Sequence, residues 1–228
     1  MVTGEALVRS VNVGRPRAAP WAGIGRTAID KQQVLGRVAV GPLGLDGDEV
    51  ADTRHHGGPD KAVYAFARED LDRWAGVLGT ELPDGHFGEN LTTTGIDVNE
   101  AEMGERWRVG GPDGTVLEVA SVRTPCNDFK TWMGRTGHDA RAWVRRFAEE
   151  GRPGPYLRVL VPGTVAPGDP LEVVHRPGHG VTVTTFFRAL HGHPELLPEL
   201  LRVEALPAQA RERVETYLGS PASTATGA

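Results

Sequence analysis

Cys126 is the single cysteine of this chain. It stands in Ser121-Val122-Arg123-Thr124-Pro125-Cys126-Asn127. A lone cysteine rules out an internal disulfide and any multi-thiolate metal site. Three chemistries stay open: a buried inert thiol, a reactive thiolate, or a thiolate that is one ligand of a larger cofactor. The setting bears on the choice. The β-type run Val116-Leu117-Glu118-Val119-Ala120-Ser121-Val122 ends at Arg123, and Pro125 stops the strand. Asn127 or Asp128 is then placed to cap a helix carrying Phe129, Trp132 and Met133. A thiol at such a strand-to-helix turn lies near amide donors, a helix N-terminus and the Arg123 cation. All three favour the thiolate, the form that binds metal or attacks.

A second chemical cluster is Asp52-Thr53-Arg54-His55-His56-Gly57-Gly58-Pro59-Asp60-Lys61. His55, His56 and Asp60 are of metal-ligand type. Neighbouring side chains on an extended segment point to opposite faces, which works against His55 and His56 converging on one ion. His191 and His193 lie far away in the sequence. The alternative is a polar loop lining a pocket. Gly57 and Gly58 then allow close backbone approach to a ligand, while Arg54 and Lys61 offer charge to a phosphate. A turn with solvated histidines is the plain structural reading.

Composition frames these sites. The 228 residues suffice for one large domain, or one domain with an appendage. A hydrophobic content of 39% and a charged content of 24% fit a soluble globular chain. No apolar run approaches the roughly 20 residues that span a bilayer. The start Met1-Val2-Thr3-Gly4-Glu5 lacks signal-peptide character, so a cytoplasmic location is expected. The net charge of −5 disfavours nonspecific nucleic-acid binding. The 30 glycines and 17 prolines are spread out, which implies many tight turns between short strands.

The elements that must position the clusters follow. Residues 5–13, 27–31, 34–40 and 62–66 read as extended, and 14–25 as a Gly/Pro loop. Leu71, Trp74, Ala75 and Leu78 recur at helical spacing before Gly79. Residues 105–109 and 115–122 flank Gly110-Gly111-Pro112-Asp113-Gly114, a hairpin signature. Ala140, Trp143, Val144 and Phe147 mark another helix, and 156–161 and 171–175 close the β body. After Pro177, three short helices are expected over 186–190, 195–201 and 208–218, with a disordered end at 220–228. Phe186, Phe187, Leu190, Leu200, Leu201 and Leu218 are the expected buried contacts of this tail, made on the β body or on a second subunit.

Several ordered motifs carry a family resemblance. Gly44-Leu45-Asp46-Gly47-Asp48, Ala51-Asp52 and Arg54-His55-His56-Gly57-Gly58-Pro59-Asp60-Lys61-Ala62-Val63-Tyr64 resemble the MOSC domain, in its YiiM-type branch. Phe87-Gly88-Glu89-Asn90-Leu91 resembles the family's Gly-Glu-Asn-Leu segment, and Arg123-Thr124-Pro125-Cys126 its Arg-x-Pro-Cys segment. Thr27-Ala28-Ile29-Asp30-Lys31, Tyr156-Leu157-Arg158-Val159-Leu160 and Pro167-Gly168-Asp169 match further pieces in order.

The resemblance implies a mainly β fold with α: a bent, β-barrel-like MOSC domain over 1–177 and a C-terminal three-helix extension over 178–219. It implies a molybdenum cofactor, a Mo-pyranopterin, with Cys126 as its metal thiolate ligand. Thr27, Lys31, Arg54, Gly57, Gly58, Asn90 and Arg123 are the implied cofactor-binding residues. His55, His56 and Asp60 are implied at the pocket as catalytic, proton-handling groups. The implied reaction removes oxygen from a small N-hydroxylated compound as water. No flavin, haem or iron–sulfur motif is present in the sequence, so an external flavin- or haem-containing electron donor is expected, and no nucleic-acid or membrane partner. A homodimer is left open. Two other classes fit the same residues: a sulfur carrier using a Cys126 persulfide, and a cofactor-binding module without turnover.

Overall fold

A computed structural model describes residues 5–54, 56–204 and 206–219. His55 and the segment 220–228 therefore lie outside the described residues. In chain order the strands begin with β1 (Leu7–Val13), β2 (Arg17–Ala18), β3 (Arg26–Thr27), β4 (Gln32–Val34), β5 (Val38–Gly41) and β6 (Gly44–Leu45). Next come β7 (Val63–Ala67), α1 (Arg68–Leu78), β8 (Leu91–Thr94), β9 (Arg106–Val109), β10 (Thr115–Val122), α2 (Asn127–Arg135) and α3 (Trp143–Glu150). The chain closes with β11 (Pro155–Val161), β12 (Gly163–Val165), β13 (Leu171–His175), α4 (Val183–Leu190) and α5 (Ala208–Leu218). Two 3-10 segments, Pro59–Lys61 and Pro194–Arg202, complete the set. None of the described helices is long and apolar enough to cross a membrane.

The architecture is mixed α/β around one eight-stranded sheet, in the order β13-β9-β10-β11-β7-β8-β1-β4. β7 sits inside it, and all five of its residues, Val-Tyr-Ala-Phe-Ala, are buried. An uninterrupted apolar run suits a strand covered on both faces. α1 carries the chain from β7 to β8, which pair in parallel, the crossover that such pairing needs. Gly79 ends α1 in the left-handed conformation, as the sequence predicts. The expected hairpin forms between β9 and β10. β8 had no strand signal of its own.

The expected barrel does not close among the described residues. β1 is already flanked by β8 and β4, so only its start can reach further. It does so through the Leu7–Pro170 bridge and through backbone bonds that Ala6 and Val8 make with Gly168, Asp169 and Leu171 at the start of β13. What the described residues show is a mixed α/β molecule with one large multi-strand sheet and helices.

An aromatic cluster joins sheet and helices. Phe87 meets Phe129 of α2 at 5.1 Å between ring centroids, and Phe129 meets Trp143 of α3 at 5.3 Å. Trp143 meets Trp74 of α1 at 4.7 Å. Edge-to-face and tilted contacts of this kind add to the burial of large rings. The cluster anchors α2, and hence the residue at its start, Cys126.

The tail is stitched to the body rather than merely resting on it. Met103 N–H donates to Val181 C=O, and Val183 N–H donates to Ala101 C=O, both at 2.9 Å. One continuous hydrophobic cluster runs from Val8 in β1 to Val214 in α5. Phe186, Phe187 and Leu200 are buried as expected, and Leu190 is partly buried. Leu201 and Leu218 are not: they are 48% and 45% exposed. The reason at Leu201 is period. Residues 194–202 form a 3-10 helix, where side chains recur every three residues. Leu197, Leu200 and Val203 therefore share the buried face, and Leu201 turns outward.

This periodicity generates a prediction. Leu200→Ala should cost about 2–5 kcal/mol of stability. Leu201→Ala should change it by no more than about 0.5 kcal/mol. Urea unfolding of the two variants checks the assignment, and equal effects would contradict the 3-10 register.

Candidate functional site

The strand-to-helix turn after β10 delivers Cys126 to a cavity of about 190 Å³. Cys126, not Asn127 or Asp128, is the capping residue of α2. Its extended backbone lets Sγ accept from Phe129 N–H at 3.4 Å. A helix N-terminus favours negative charge at that sulfur. The thiol thus faces the cavity from the positive end of α2.

Arg123 lies beside it in the cavity wall and is only 6% exposed. One guanidinium N–H donates to Phe87 C=O. The guanidinium carbon sits 4.0 Å from the Phe129 ring centroid and 5.2 Å from that of Tyr64. No carboxylate among the described residues pairs with it. A buried cation without a counter-charge is costly, and an anionic ligand would relieve that cost.

Phe87 C=O is itself held in place. Glu89 is fully buried and accepts from Gly85 N–H at 2.6 Å, Phe87 N–H at 3.0 Å and Thr92 Oγ1–H at 3.0 Å. Burial pushes the Glu89 carboxyl up to about 7 against those hydrogen bonds. The loop 85–88 is fixed from beneath, and with it the acceptor for Arg123.

Asn90 and Lys31 also line the cavity, and both are tied into its wall. Asn90 Oδ1 accepts from Tyr64 N–H at 3.0 Å, and its Nδ2 donates to Asn12 C=O and Asp48 Oδ2. Lys31 Nζ lies 2.5 Å from Asp48 Oδ1, and both side chains are about nine-tenths buried. Asp48 also accepts from Gly14 N–H at 2.7 Å. The sequence presents Asp48 only as part of a motif, yet it is the hub of this wall.

The other expected site residues divide. Thr27, His56 and Gly57 line the cavity. Gly57 has φ of 75°, and a Cβ there would press on Val50 Cγ2 at 3.1 Å, so a side chain is disfavoured twice over. Gly58, Arg54 and Asp60 are not among the lining residues. Arg54 is exposed, and Asp60 pairs with Arg158 at 2.7 Å, which also holds Glu118. Arg158 reaches from β11, a partner that local sequence cannot indicate.

Three lining residues were missed. Tyr64 and Tyr156 carry phenols that burial pushes up, so both stay protonated at neutral pH. Tyr64 Oη–H donates to Pro153 C=O at 2.8 Å. Arg26 stands at the exposed rim. Its position one residue before Thr27 was the only available signal.

The arrangement suits a metal cofactor that brings most of its own ligands. Among the described residues no group of three His, Cys, Asp or Glu side chains is placed to hold a metal ion. What the cavity offers is one soft thiol, one uncompensated cation and a close-approach glycine.

These features define a class: a mixed α/β protein with a thiol and an uncompensated guanidinium facing one cavity. Residues 52–172 match the MOSC domain, and the chain belongs to that family. MOSC domains are associated with molybdenum-cofactor binding. Within the family the chain is of the YiiM type. The uncharacterized protein YflK of Bacillus subtilis (strain 168) is 33% identical over 177 residues, 77% of this chain and 76% of YflK. A protein named Reductase from Gibberella moniliformis is 31% identical over 208 residues; these are 88% of this chain but 35% of that protein. The crystal structure of YiiM from Geobacillus stearothermophilus superposes with a TM-score of 0.75 at 25% identity, covering 94% of this chain and all of that one.

Two predictions follow from the geometry. Asp48→Ala strands the Lys31 ammonium and should destabilise by about 3–5 kcal/mol, whereas the Lys31→Met, Asp48→Leu pair should recover much of that loss. Urea unfolding of both variants measures it.

The second concerns His86, whose C=O accepts from Trp132 Nε1–H in α2. Burial, reinforced by His138 at 4.8 Å, pushes His86 from 6.5 to about 4. The unfolded chain takes up its proton first, so this contribution to stability is full above pH 6.5 and is lost as pH falls toward 4. The upper bound is about 3 kcal/mol. Wild type should lose that much relative to His86→Gln across this window, and a constant difference between the two would contradict it.

Proposed function

We propose that the chain is a molybdenum-cofactor-dependent reductase of N-hydroxylated compounds. The observation that carries this reading is the pairing in one cavity of a soft thiol, Cys126, with a buried guanidinium, Arg123, that has no carboxylate partner. A relative named Reductase supports the reaction class. The implied barrel-like core, the cytoplasmic setting and the two-part division at 177/178 belong to the same proposal.

Cys126 is the metal thiolate ligand. Arg123 and the Gly57 backbone hold the anionic and polar edges of the pterin, with Arg26 at the rim. Thr27 supplies a hydroxyl. Asn90 and Lys31 position the wall through Asp48 and Asn12, and Lys31 keeps ammonium N–H groups for the cofactor. The bound cofactor supplies the two-electron redox chemistry.

The balance of the reaction is N–OH plus two electrons and two protons, giving N–H and water. His56 lines the cavity, and an imidazole can both accept and donate a proton, so it is placed to hand one on. His55 is proposed for the same proton-handling role on sequence grounds. The protonated phenol of Tyr156 donates a hydrogen bond toward the substrate. Electrons come from a separate flavin- or haem-containing protein.

Three variants test the reading. Cys126→Ser should fold, lose activity and lose most of its molybdenum; wild-type metal content would overturn the ligand assignment. A metal-free wild type with cyanide-labile sulfur would point to sulfur transfer instead. Arg123→Gln should weaken cofactor binding roughly ten- to a hundred-fold. Lys31→Ala should lower the melting temperature with a much smaller change in affinity.

A further inference from the structure

A second cavity, of about 370 Å³, adjoins the first. His56, Lys61 and Tyr156 line both, so the two spaces meet at these side chains. One wall of the second cavity is the loop leading to Cys126, through Thr124 and Pro125. The opposite wall belongs to the C-terminal helices, whose sequence carries no cofactor motif.

The chemistry of these walls is specific. Phe186 and Leu190 on α4 give an apolar face. His191, at the end of α4, has a buried Nε2 with no hydrogen-bond partner. Arg213 on α5 forms no ion pair among the described residues. Among the described residues no carboxylate lines the cavity. Buried polar atoms are almost always satisfied, so the unmet Nε2 asks for a ligand atom or a water. The Arg213 guanidinium beside a wall of large apolar groups suits an amphipathic anion.

We propose that this cavity is the substrate subsite, built by the C-terminal helices, and that it takes a flat apolar N-hydroxylated compound bearing a carboxylate. The carboxylate lies on Arg213 and the apolar body against Phe186 and Leu190. The N–OH end points past Tyr156 toward Cys126. The subsite deepens the reductase reading above and rests on it for the chemistry, but not for binding.

The test uses the purified protein with its cofactor, an aromatic amidoxime carrying a ring carboxylate, and its uncharged parent. Arg213 is exposed and Leu190 only partly buried, so neither substitution empties the core. Arg213→Gln should weaken binding of the carboxylate compound, and raise its KM, by roughly ten-fold or more with kcat unchanged. Binding of the uncharged parent should not change. Leu190→Trp should fill the cavity and abolish binding of both, while melting temperature and molybdenum content stay at wild-type values. Wild-type affinity for the carboxylate compound in both variants would overturn the subsite, as would no binding to wild type at millimolar concentration. The two readings fail differently. Binding that depends on Arg213 and Leu190 without reduction keeps the subsite and removes the reductase. Reduction with one KM in all three proteins keeps the reductase and removes the subsite.

Discussion

The site wall hangs on one buried carboxylate. Asp48 accepts from Lys31 Nζ, Asn90 Nδ2 and Gly14 N–H. Asn90 in turn exchanges backbone bonds with Tyr64 and Asn12, tying β7 and β1 to the loop after β6. Each group is nearly out of water, so each needs its partners. A charge taken from this set leaves an opposite charge buried, which costs more than the pair is worth when intact. The lysine that the family resemblance assigns to the cofactor is therefore also a strut of the wall, and rigidity at the cavity is its product.

Arg123 has the opposite status. Its neighbours are rings and a carbonyl, not carboxylates. The Phe87 carbonyl that it meets is fixed by Glu89, buried beneath the same loop. Paired charge thus builds the wall, and unpaired charge faces the space. The same logic separates Asp60 from the site: its bond to Arg158 stabilises the outer surface of β11 and leaves the cavity to His56.

The C-terminal helices bring the two spaces into one system. Backbone bonds at Met103 and Val183 set α4 beside β10, which places Leu190 and His191 behind Tyr156. On the proposed reading the body holds the cofactor and the extension selects the substrate.

Much of this was legible in the chain itself. The helix through Leu71, Trp74 and Leu78, the hairpin at 110–114 and the glycine stop at Gly79 are local features, decided by period and turn chemistry within a few residues. Cys126 and Arg123 share a four-residue motif, so their co-location was legible too. Everything that depended on distant partners was not. Asp48 finds Lys31 and Asn90, Asp60 finds Arg158, and Leu201 turns outward because its helix tightens to three residues per turn. The second cavity needs α4, α5 and the Cys126 loop together. Local sequence specifies which groups can bear charge, cap or turn; only tertiary packing decides which charge is matched, because a partner dozens of residues away sets the balance of desolvation and pairing.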